Sequence, residues 1–102
     1  MKKKIWIIAL ALFAIVVGMA VAQGTINTQA VALAGYSDGQ RDYQSQNSLD
    51  SWSRNRAEVY ANGYGNYEYK SQPWYLVYQV YLQAYQEGWR AKAAQVGGTV
   101  RW

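Results

Sequence analysis

Residues 5–22, IWIIALALFAIVVGMAVA, are eighteen uncharged, mostly apolar residues that follow Lys2, Lys3 and Lys4. A basic start, an unbroken apolar run and a small-residue exit make an export address. That segment is set aside from any folded domain, and only about 80 residues from Gln23 onward remain to build one. Two fates of the segment are open. As a signal peptide it has a 13-residue apolar stretch from Ile5 to Val17, a break at Gly18, and Ala20-Val21-Ala22 as an A-x-A cleavage site. As a transmembrane anchor, a helix over 5–22 is about 27 Å long at ~1.5 Å per residue, just enough for a ~30 Å hydrocarbon layer. Lys2, Lys3 and Lys4 then hold the N-terminus in the cytoplasm and the remainder lies outside. Trp6 suits the membrane interface in either case. The expected location is therefore the membrane with the C-terminal domain external, or the periplasm or exterior if the chain is cut after Ala22.

The leader also accounts for most of the charge. The chain has 10 Lys and Arg against 6 Asp and Glu, net +4. Three of those cations are Lys2, Lys3 and Lys4, which leaves 7 against 6 from Gln23 onward. An electrostatic footprint for nucleic acid needs clustered positive charge on the working domain. The densest pair, Arg54 and Arg56, has Asp50 and Glu58 beside it, so no nucleic-acid partner is expected. Cysteine and histidine are both absent. This removes disulfides, a lipid-modified cysteine, attached haem, a thiol nucleophile and an imidazole base. Asp38 and Asp42 are one helical turn apart with Arg41 beside them, and they read as a solvated helix face rather than an acid–base pair. No enzyme activity, cofactor or metal is expected.

An 80-residue domain without staples has a marginal core. Its composition is ten Tyr, four Trp and no Phe, with abundant Gln and Asn. Aromatic rings with polar tips suit wet interfaces and partner surfaces as well as cores. The pattern predicts a mainly α fold, a signal or transmembrane helix over 1–22 followed by a small external domain over 23–102 of two to three helices. The first helix covers about 28–46, with Leu33, Tyr36 and Tyr43 on one face and Ala30, Ala34 and Gly35 keeping part of it thin. Ser48 caps a second over 49–62, where Leu49, Trp52, Val59 and Tyr60 recur at helical spacing. A loop rich in Gly, Asn and Ser covers 63–72. Pro73 opens a third helix over 73–96, stopped by Gly97-Gly98. Its stretch 74–82, WYLVYQVYL, also has strand character, but the length of the pattern and the Ala-rich continuation favour helix.

A faint repeat runs through this domain. Leu33, Tyr36, Asp38, Gly39 and Arg41 align with Leu82, Tyr85, Glu87, Gly88 and Arg90 as L-x-x-Y-x-[DE]-G-x-R, and Tyr60-Ala-Asn-Gly63 is a degenerate copy between them. Mid-helix glycine costs about 1 kcal/mol against alanine, and close backbone approach is the usual reason for it. Gly35 and Gly39, and Ala84 and Gly88, are each four apart and make thin strips for helix packing. Gln72-Pro73-Trp74 followed by AYQEGWRA over 84–91, with GYSDG over 35–39, resembles the ribosome modulation factor family of short helical proteins. That resemblance implies a helical hairpin. The family is basic and works on ribosomes in the cytoplasm, whereas this chain has an export leader and a nearly neutral domain.

The function expected is a non-enzymatic, membrane-anchored structural or accessory subunit of a larger assembly: a membrane complex, a filament or a membrane-containing virion. The alternative is a cleaved, exported binding module. The contact residues expected are Trp74, Tyr78, Tyr81, Tyr85 and Trp89 on the aromatic stripe, Tyr36, and Gly35, Gly39 and Gly88 at the thin strips. The partners expected are the membrane and other protein subunits, copies of this chain among them.

Overall fold

A computed structural model describes residues 26–102. The signal-or-anchor reading, with Lys2, Lys3, Lys4, Trp6, Ala20 and Ala22, lies outside the described residues. The described part is helical: α1 is Thr28–Asp42, α2 is Leu49–Gly63 and α3 is Gln72–Val96. It contains no strand, only an isolated bridge between Ser48 and Arg101. Residues 74–82 are the first half of α3.

Side chains at the helix starts explain where each begins. Asn27 Oδ1 accepts from the Ala30 N–H at 3.0 Å, Ser48 Oγ from Ser51 at 3.3 Å, and Ser71 Oγ from Trp74 at 3.4 Å. Each satisfies one of the donors a helix leaves open in its first turn. Pro73 lies in the first turn of α3, where no N–H is missed. Gly97 ends α3 in the left-handed region at φ 67°, and the Gly98 N–H closes on the Ala93 carbonyl at 2.8 Å.

The first helix stops four residues short of the expected Gln46. Tyr43 leaves the helix at ψ 129°. Its ring then meets Trp89 edge-on at 5.5 Å, and its hydroxyl donates to the Thr99 carbonyl at 2.7 Å. Those tertiary contacts outweigh one more helical turn of polar residues.

α3 is about 37 Å long at ~1.5 Å per residue, close to the 39 Å long dimension of the molecule. α1 and α2 each pack along it. Gly35 abuts Tyr81 and Ala84, and Gly39 abuts Tyr85 and Trp89, so α1 runs parallel to α3. Trp74 Nε1 donates to Asn62 and Gln86 Nε2 to Ser53, so α2 runs antiparallel to α3. The three helices therefore go up, down and up.

The bulk of the core comes from α3, whose Val77, Tyr81, Tyr85 and Trp89 are at most 1% exposed. Burial of a Phe-sized side chain contributes roughly 1.5–3 kcal/mol. The other helices present narrow stripes to it. α2 contributes Leu49, Ser53, Ala57 and Ala61 at strict spacing of four, and α1 contributes Val31, Ala32, Gly35 and Gly39. Large apolar residues of the sequence pattern lie outside these stripes: Leu33, Trp52 and Val59 are 55%, 40% and 58% exposed. A large residue at Gly35, Gly39, Ser53, Ala57 or Ala61 would hold its helix away from the rings of α3.

The α1–α3 seam is reciprocal. A Cβ on Gly39 would collide with the Tyr85 carbonyl oxygen, and one on Gly88 with the Tyr36 carbonyl oxygen. Tyr36 and Tyr85 are matching positions of the repeat, as are Gly39 and Gly88. The two copies thus pack on each other as a parallel pair related by an approximate two-fold axis. Gly39→Ala is expected to lower unfolding stability by about 1–3 kcal/mol or more, because backbone must move. Gly63→Ala, which meets nothing within 4 Å, is expected to be neutral or to stabilise by up to about 1 kcal/mol. Chemical denaturation of the two variants checks the contrast.

Candidate functional site

The largest polar constellation joins all three helices. On α1, Asp38 and Asp42 are one turn apart; on α3, so are Tyr81 and Tyr85. Because the helices run parallel, each hydroxyl finds a carboxylate at the same offset: Tyr81 donates to Asp38 Oδ2, and Tyr85 donates to Asp42 Oδ2 at 2.8 Å. Arg56 reaches across from α2, with Nε 3.0 Å from Asp42 and a terminal nitrogen 3.6 Å from Asp38. Arg41 pairs with Asp38 at 2.6 Å from the solvent side.

The reading of Asp38 and Asp42 as a solvated face is corrected by this geometry. Their side chains are only 19% and 15% exposed. The sequence signal was available only in part, because Arg56, Tyr81 and Tyr85 are distant in the chain and the parallel register that unites them is a tertiary property.

The electrostatics favour holding protons rather than moving them. Burial, then the hydrogen bond to Asp38, pushes the Tyr81 phenol well above its usual range; burial and the bond to Asp42 do the same to Tyr85. The Arg56 guanidinium loses hydration, but Tyr81, Asp42, Asp38 and Tyr85 outweigh that loss and raise its pKa. Two carboxylates face two guanidiniums, and both phenols act as neutral donors. The Arg56 Nε–H is close to Asp42 but not well directed at it, and the Trp89 indole N–H is buried among rings without an acceptor. The arrangement suits a polar clamp that locks three helices in register.

The expected contact residues fall in two groups. Trp74, Tyr81, Tyr85 and Trp89 are at most 2% exposed, and Gly35, Gly39 and Gly88 are buried in the α1–α3 seam. Tyr36 and Tyr78 are half-buried. The rings of α3 join those of its neighbours and one another: Tyr81 stacks on Tyr60 at 4.5 Å, Trp89 meets Tyr43 and Trp52, and within α3 Trp74 stacks on Tyr78 at 5.2 Å. This aromatic area is used within the domain.

Exposed aromatic and apolar area lies on other residues. At the end where α1 starts, the loop carries Tyr69 at 53% exposure and Lys70 over its ring, and Tyr75 follows at 43%. At the far end are Val96, Val100 and Trp102, with Arg90 over the Trp102 ring. A shallow polar groove lined by Ser51, Arg54, Asn55, Glu58 and Tyr78 runs along the α2–α3 face. Among the described residues no group of three acidic side chains could hold a metal ion, and no helix is long and apolar enough to cross a membrane. No family model, curated protein or solved structure matches the chain.

A phenol with a folded pKa above its unfolded value of 10 holds its proton more tightly in the folded state. The stability it contributes is complete below pH about 10 and is lost as the pH rises through 10 towards the raised value. The melting temperature is therefore expected to be flat from about pH 7 to 9 and to fall above about pH 10. Tyr81→Phe with Tyr85→Phe should lower stability at neutral pH by about 1–3 kcal/mol and make the alkaline fall shallower. Thermal unfolding followed by circular dichroism across pH measures both.

Proposed function

We propose that this protein is a non-enzymatic, membrane-anchored structural or accessory subunit of a larger assembly, held by residues 5–22 with its helical domain outside. The observation that carries the reading is the eighteen-residue uncharged run behind three lysines, which ends four positions before Ile26, a residue buried at 6% exposure. An apolar run of that length behind basic residues suits a tether that holds a domain in place. The polar clamp supports a scaffold role, since its carboxylates and phenols are committed to one another. Contacts to other subunits, copies of this chain among them, fall to side chains the domain leaves outside, such as Leu33, Val59, Trp52 and Trp102.

The reading is tested by the intact mass of the mature protein and by extraction of its membranes with alkaline carbonate. The full-length mass and retention in the membrane are the expected results. A mature species beginning at Gln23 and released without detergent would replace the anchor with a cleaved, exported binding module.

A further inference from the structure

The end of the domain nearest the leader is built unlike the other end. Ile26 and Thr28 are buried at 6% and 4% exposure, so the chain enters the fold at a fixed point. The backbone N–H of Asn27 donates to the Tyr64 hydroxyl at 3.2 Å, which ties that entry point to the start of the α2–α3 loop. Two groups of rings lie at this end: Tyr64 stacks with Tyr67 at 6.3 Å, and separately Tyr69 meets Trp74 at 4.9 Å and Trp74 meets Tyr75 at 5.3 Å. Lys70 sits over Tyr69 with φ 63°, in a turn over residues 68–71 that the Ser71 N–H closes on the Glu68 carbonyl at 3.0 Å just before α3. Tyr69 and Tyr75 remain 53% and 43% exposed although the domain has rings enough for its core.

On the reading that residues 5–22 are an anchor, we infer that the 64–75 segment is a membrane-interface belt, with Tyr69, Lys70 and Tyr75 seated in the phospholipid headgroup layer. Four residue steps separate Ala22 from Ile26, a reach of about 14 Å at most. The headgroup layer adds roughly 5–7 Å beyond the hydrocarbon on each side. The entry end of the domain is therefore held within about 14 Å of the hydrocarbon, near enough for its side chains to reach the headgroup layer, and its residue types are those that prefer this zone: tyrosine with an apolar body and polar tip, and a lysine able to extend its amine outward. Glu68 offsets Lys70 in the same loop, so the attraction is interfacial partition rather than affinity for anionic lipid. The Val96 and Val100 end, the length of α3 away, stands clear of the membrane.

The absence of native cysteine makes the test direct. Full-length chains carrying Tyr69→Cys, Tyr75→Cys, Val96→Cys or Val100→Cys are labelled with a fluorophore and placed in phosphatidylcholine nanodiscs containing headgroup-nitroxide phosphatidylcholine. Asn66→Cys, at an exposed loop position, reports on the same belt without removing a ring, should either tyrosine variant fail to fold. Quenching is expected to be about twofold or more stronger at 66, 69 and 75 than at 96 and 100, and unchanged by added salt. Equal quenching at both ends in a chain that keeps its leader in the nanodisc overturns the belt alone. A mature protein that begins at Gln23 overturns the anchor, and the belt with it.

Discussion

The close approach of α1 to α3 governs the rest of the domain. Two parallel helices can come this near only where neither has a side chain between the backbones, and the seam supplies Gly35 and Gly39 on one helix and Gly88 on the other. Such contact adds dispersion along the full seam and leaves room for short Cα–H···O contacts. It also fixes the register. Once Gly39 sits against the Tyr85 carbonyl and Gly88 against the Tyr36 carbonyl, no sliding by a residue is compatible with both.

From that register the polar clamp follows. Asp38 and Asp42 stand beside Tyr81 and Tyr85 because both pairs are spaced by one turn on helices that advance together. Arg56 then brings α2 into the same constellation. α1 and α2 meet chiefly through α3, so this guanidinium is a direct tie between the two outer helices. Partly buried carboxylates would be costly alone; with phenolic donors and a cation they specify one arrangement.

Much of this was legible from local signals. The cap at Ser48, Pro73 and Gly97 mark helix ends because their chemistry acts within a few residues. The glycine repeat pointed to close helix packing because mid-helix glycine is costly and calls for a reason. Burial was read less well. Leu33, Trp52 and Val59 are large and apolar yet face outward, whereas Ser53, Ala57 and Ala61 face the core. The cause is the girth of α3: its rings fill the interior, so neighbours contribute small residues there, and hydrophobicity alone points to the wrong face. The end of α1 at Asp42 and the meeting of Arg56 with the two aspartates depend on partners 14 to 56 positions away, which no local pattern reveals.

The start of α2 carries one more dependence. Ser48 caps it locally, but the Leu49 and Asp50 N–H groups donate to the Arg101 and Trp102 oxygens at 2.8 and 3.2 Å, and Ser48 Oγ donates to the Trp102 oxygen as well. A helix in the middle of the domain is thus completed by a segment about fifty residues downstream, which Tyr43 and the Gln46 carbonyl hold at Thr99 and Arg101. Such a long-range closure is slow compared with the helix it completes. During synthesis α2 emerges well before the groups that finish its first turn, so the domain gains its final cooperativity only when residues 98–102 dock. Completion of α2 therefore rests on residues 98–102 as much as on its own sequence.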